Sequence, residues 1–78
     1  MGSVKETKHL WFVYDHKSPS GLTQIWEVRN RKQNISLGWI KWAGNFRKYA
    51  YFPNPESLYD ATCLRDIADF CEELTKDK

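Results

Sequence analysis

Apolar and polar residues alternate through the middle of the chain and switch to a helical spacing near its end. His9 to Asp15 is a compact aromatic and β-branched run, which predicts a strand. Lys17-Ser18-Pro19-Ser20-Gly21 predicts a turn by composition. Thr23 to Asn30 alternates, with Trp26 and Val28 pointing one way and Glu27 and Arg29 the other. Arg31 to Asn34 is short and polar, as a hairpin connection should be. Ile35 to Trp42 predicts a third strand, with Gly38 marking a bulge or a close approach of backbone. Ala43-Gly44-Asn45 follows as a turn whose Gly-Asn pair can supply positive φ. Phe46 to Pro53 predicts a fourth strand, closed by Pro53-Asn54-Pro55, which cannot continue a ladder.

Asp60 to Thr75 carries the helical period. Leu64, Ile67, Ala68, Cys71 and Leu74 follow the i, i+3, i+4, i+7 spacing, and Cys63 and Phe70 widen the stripe. Arg65, Asp66, Asp69, Glu72 and Glu73 mark the wet face. Asp60 is a good N-cap, with Tyr59 placed to staple onto Leu64; Ser57 is a rival cap one turn earlier. Met1 to Lys8 is polar and is expected to fray.

Short links between strands favour an antiparallel meander. The expected fold is therefore α+β: one domain over residues 1–78, with a four-stranded antiparallel sheet over 9–53 and one C-terminal helix over 60–75 packed on one face. The helix stripe should cover Trp26, Val28, Ile40 and Trp42, leaving Glu27, Arg29, Trp39 and Lys41 on the open face. In the last strand either Tyr49 and Tyr51 or Ala50 and Phe52 face the helix. Tyr49 and Tyr51 are assigned to it, which leaves Lys48 on the open face.

A chain of 78 residues buries only about 60% of the surface it exposes when unfolded, so its core needs reinforcement. Rings making up 15% of the sequence can supply it, since each buries roughly 150–250 Å². Cys63 and Cys71 stand about 12 Å apart along the expected helix, too far to bridge, and neither belongs to a CxxC pair. They read as core thiols of a reducing compartment. Met1-Gly2-Ser3 is followed by no apolar run, and no stretch is long enough to span a bilayer. A cytoplasmic location is expected, which makes the sequon Asn34-Ile35-Ser36 a chance match.

The net charge of +2 conceals an asymmetry. From Val28 to Pro55 the chain carries Arg29, Arg31, Lys32, Lys41, Arg47 and Lys48 and no acid. From Glu56 onward acids dominate, and the first 27 residues balance. A basic centre suits an anionic partner, or complements the acidic end within the fold or between protomers.

Catalysis finds little support. A nucleophile needs a base and an orienting group, whereas His9 and His16 sit in or beside the first strand. Asp66 and Asp69 could pair as carboxylates but lie on the wet helix face among other acids. No metal-ligand spacing, phosphate loop or nucleotide fingerprint is present, so no cofactor is expected. The open face carries the candidate site: Arg29, Trp39, Lys41 and Lys48. Cations there would supply a salt-dependent phosphate term, and an indole can stack on an unpaired base. A small sheet can also enter a major groove, as in phage-integrase arm-binding domains and some plant transcription factors, a likeness of layout alone. An exposed Trp beside Arg equally makes an anchor for a protein partner. The bland alternative packs Trp39 under the N-terminal strand, or its cations over rings.

From Trp26 to Leu74 the chain resembles a family of short uncharacterised proteins encoded in phage and prophage genomes. The residues that carry the resemblance are Trp26-Glu27-Val28, Leu37-Gly38 with Ile40 and Trp42, and Phe46-Arg47 with Tyr49, Tyr51 and Pro53. Cys63-Leu64-Arg65-Asp66-Ile67 with Phe70 and Leu74 completes the set. The resemblance transfers no functional residue. It implies a mobile-element origin, where small proteins often bind host proteins or nucleic acid. The expectation is a non-enzymatic binding module, with nucleic acid the first partner and a host or phage protein the second.

Overall fold

The computed structural model describes residues 3–77. Five strands run in order, β1 (Val4–Glu6), β2 (Leu10–Lys17), β3 (Gln24–Asn30), β4 (Ser36–Ala43) and β5 (Lys48–Pro53), followed by the helix α1 (Ala61–Lys76). All neighbours are antiparallel and lie in sequence order, so the sheet is a meander. The fold is α+β as expected, but the sheet has five strands rather than four.

The extra strand comes from the segment expected to fray, of which Met1 and Gly2 lie outside the described residues. β1 is three residues long with two charges, too short and polar to show any alternation. Pairing and tertiary anchors hold it instead. The Tyr14 N–H donates to the Ser3 carbonyl (2.8 Å) and the Thr7 N–H to the Leu10 carbonyl (2.9 Å). Lys5 sits above the Phe70 ring, 5.1 Å from its centroid, and its ammonium donates to Glu73 on the helix.

The core lies between the sheet and α1. Leu10, Phe12, Val28 and Ile40 are fully buried, one face of β2, β3 and β4. Phe70 enters this layer, stacked on Phe12 with centroids 4.6 Å apart and edge-on to Trp26 at 4.9 Å. These two ring contacts set the rotation of the helix. Ile67, Phe70 and Cys71 are buried, with Cys63 and Leu74 partly so. Leu64, expected inside the stripe, is 51% exposed, and Ala68 is exposed as well. At about 100° per residue both fall to one side of the arc centred on Ile67, Phe70 and Leu74.

Asp60 caps the helix, its carboxylate accepting the Cys63 N–H at 2.9 Å. Ser57 is no cap, because its hydroxyl turns to the Leu37 and Asn54 carbonyls. Tyr59 turns to the sheet rather than stapling onto Leu64. Its hydroxyl donates to the Leu37 carbonyl (2.9 Å) and receives the Tyr51 hydroxyl (2.6 Å). That chain passes over Gly38, where a Cβ would lie 2.7 Å from Tyr51 Oη and 2.5 Å from the Phe52 carbonyl oxygen. The β3–β4 register shifts beside it, so Gly38 answers to both sequence expectations, a bulge and a close approach.

The turn from β4 to β5 is longer than expected. It spans residues 44–47, and Arg47 (φ 55°) takes the left-handed conformation that the Gly-Asn pair was expected to supply. Phe46 therefore lies in the turn, 65% exposed, instead of starting the strand. Tyr49 and Tyr51 face the helix as assigned, with the Tyr49 N–H donating to Thr75 Oγ1 at 3.0 Å.

Candidate functional site

The sheet face away from α1 is built by the register. Val4 pairs with Val13, Val13 with Glu27, Glu27 with Trp39, and Trp39 with Phe52. Directly opposed residues share a face. One row thus crosses all five strands and reads small, small, acid, large, large. Val4 and Phe52 are exposed, and Val13 and Trp39 are half-buried only by their neighbours. Trp11 and Ile25 flank the row at half exposure. Trp39 is therefore not packed under the N-terminal strand, which lies at the far edge of the sheet.

Of the four residues named from the sequence, Arg29, Trp39 and Lys41 lie on this face, while Lys48 at the end of edge strand β5 also lines the groove between that strand and the C-terminal half of α1. Arg29 opposes Trp11 and Ser36 at one end, while Lys48 opposes Ala43 at the other. Trp39 and Lys41 lie between them, and Lys48 is diagonal to Lys41 through the Lys41–Ala50 pair. The Arg29 guanidinium is occupied: it pairs with Glu27 at 3.0 Å, reaches Asn34 Oδ1 at 3.0 Å and the Asn34 carbonyl at 2.6 Å. Lys41 Nζ stands 4.6 Å from the Phe52 ring centroid, a cation–π contact.

The basic centre of the sequence is dispersed by folding. Arg31 pairs with Glu6 at 3.5 Å and donates to the Thr7 carbonyl at 2.7 Å. Arg31 and Lys32 line a concavity at one end of the sheet with Lys8, His9, Tyr59 and Asp60. Arg47 and Lys48 lie at the opposite end. The balanced N-terminal segment supplies the acids that meet the basic strands: Glu6, which also accepts the Trp11 indole N–H at 3.0 Å, Asp15 and Glu27. Asp15 contacts the His16 ring, and both line a shallow depression of about 260 Å³ with Ile25, Trp39 and Lys41. Sequence reasoning missed Val13, Ile25 and Asp15 as parts of this face, whereas Phe52 follows from assigning Tyr49 and Tyr51 to the helix side. Alternation could have found Val13 and Ile25 once the strand ends were known; Asp15 sits at a break in the β2–β3 register that no composition signal marks.

Perturbed groups lie elsewhere. Burial pushes the Cys71 thiol up to about 11, and burial with the Asp60 carboxylate raises Cys63, so both thiols are held protonated. Burial and the bond to Tyr59 push Tyr51 up as well. The helix N-terminal amides hold Asp60 below the usual carboxylate range. Among the described residues no group of three His, Cys, Asp or Glu side chains is placed to hold a metal ion. No helix among them is long and apolar enough to cross a membrane.

A short antiparallel meander with one covering helix defines a small α+β protein, and its kinship is with a phage protein. The chain is 32% identical over 75 residues to an uncharacterized 9.3 kDa protein of Acholeplasma phage L2, covering 96% of this chain and 95% of that protein. The chain belongs to the family of that phage protein. No family model matches it, and no solved structure matches it.

Proposed function

We propose that the chain is a small non-enzymatic binding module of the cytoplasm, and that a protein docks on its open sheet face. The row Val4, Val13, Glu27, Trp39 and Phe52 carries this reading, because it lays valines and rings on four of the five strands, broken at β3 by Glu27, without cover from α1. Exposed contiguous apolar surface of this kind marks interaction sites. Acids of this face are paired with cations of the same chain, Glu27 with Arg29 and Glu6 with Arg31. A phosphate backbone demands a surplus of free cations, and Arg29 is already spent on Glu27 and Asn34. Two free thiols suit a reducing compartment.

One observation favours nucleic acid as a second reading. Trp39 and Lys41 share one depression of the face, an indole beside an ammonium group, with Lys48 diagonal to Lys41 at the strand end. Fluorescence titration with single- and double-stranded DNA at two salt concentrations separates the readings. The protein-docking reading expects no binding at low salt. Binding that falls steeply as salt rises would replace it with the nucleic-acid reading.

A further inference from the structure

We propose that the occupant of the open sheet face is a second copy of this chain, packed sheet to sheet about a twofold axis that runs along β3. This rests on the reading of that face as a docking surface and names what covers it. β3 is the central strand of five. A twofold along it lays β2 of one copy over β4 of the other, and β1 over β5. The register then decides which side chains meet. Val13 faces the other copy's Trp39, and Val4 faces its Phe52, so that small residues oppose large ones on both sides of the axis. Such alternation is how two sheets interdigitate at a separation of about 10 Å.

Charge follows the same symmetry. Asp15 on β2 and Lys41 on β4 flank Ile25 of β3 in one depression. The axis therefore sets each Asp15, with the His16 ring it contacts, against the Lys41 of the other copy. On the axis each Glu27 lies against the Glu27 of the other copy and each Arg29 likewise, and the 3.0 Å ion pair within each chain neutralises both. An isologous contact requires a self-complementary patch, and the small-on-large and Asp15–Lys41 pairings to either side of the axis supply one.

The sheet edges offer no competing route. On β5 the Tyr49 N–H is taken by Thr75, and Pro53, two pairs further along on the same side of the ladder, has no N–H to offer. β1 is three residues long and turns Lys5 inward to Glu73, which blunts it. The face is large enough. Five strands of about six residues cover roughly 24 by 20 Å, and side chains standing off that plane bring the accessible area toward the ~800 Å² per partner of an ordinary stable interface.

Sedimentation equilibrium on the whole chain tests this. The expected result is a species of twice the 9.3 kDa chain mass. Phe52→Glu should weaken association roughly tenfold or more while its circular dichroism spectrum stays that of the parent. Asp15→Lys and Lys41→Asp should each weaken it, and the double reversal should restore it. In a Cys63→Ser background, a mixture of Val4→Cys and Phe52→Cys chains should form a crossed disulfide that neither forms alone. A monomer at roughly 0.5 mM, or a dimer indifferent to Phe52→Glu and the reversals, would overturn the proposal. The two readings fail separately. The docking face stands if the chain is monomeric yet a protein captured from phage-infected cells is lost with Trp39→Ala, and it falls if open-face substitutions change no capture.

Discussion

At the residue scale, backbone and titration constraints matter more here than any single charge. Gly38 has the Phe52 carbonyl oxygen within 2.5 Å of where a Cβ would stand, and backbone of a paired strand cannot swing aside. Gly38→Ala should therefore destabilise the protein by about 1–3 kcal/mol, read as a lower midpoint in urea with an unchanged slope. Cys71 makes the pH prediction. Its folded thiol is pushed up to about 11 by burial, above the ~8.5 of an unfolded chain. Folding thus favours the protonated thiol. The contribution is fully present below about pH 8.5 and is lost as pH rises toward 11. Melting curves across that window should show the parent losing stability faster than Cys71→Ala; parallel curves would remove the thiol from the alkaline limb. The sequence displayed Gly38 as an interruption in an apolar run. It could not display Tyr51, Tyr59 and the Leu37 carbonyl meeting over it, since those residues meet only in the folded chain.

At the element scale, α1 was legible and its rotation was not. Periodicity placed the helix within a residue of its observed ends, and Asp60 was readable as its cap. Periodicity weights Leu64 and Phe70 alike as apolar positions. In the fold, the stacking of Phe70 on Phe12 and its edge contact with Trp26 roll the helix and lift Leu64 into solvent. Ile67→Ala should cost about 2–5 kcal/mol, because Ile67 is 3% exposed at the centre of the packed arc. Leu64→Ala should stay within about 1 kcal/mol. Equal losses at both positions would restore the stripe drawn from spacing alone. β1 fails to show in the sequence for a different reason: its stability comes from ladder hydrogen bonds and from Lys5 above Phe70, and neither leaves a trace in three residues.

At the scale of the whole molecule, the proposed docking reading makes one sheet face scaffold and the other contact surface, and Trp39 and Trp42 test that division. They are three residues apart on β4 and point to opposite sides. Trp42 lies on the helix side, edge-on to Tyr49 with centroids 5.4 Å apart and packed against the core. Trp39 opposes Glu27 and Phe52 on the open side. Trp42→Ala should cost roughly 3–5 kcal/mol of stability, at the lower end because the ring is only half-buried. Trp39→Ala should change stability by about 1 kcal/mol or less and weaken docking by about 2 kcal/mol or more, as a central aromatic anchor does. Thermal melts and binding isotherms on the same two variants read both quantities. The basic middle of the sequence suggested an anionic partner because charge was counted along the chain. Folding sets Glu6, Asp15 and Glu27 among those cations, so that under the proposed docking reading the ring-bearing row, rather than the net charge, is what a partner would meet. If Trp39→Ala unfolded the protein while Trp42→Ala abolished docking, the two faces would exchange roles, and the helix side would have to open for a partner to reach it.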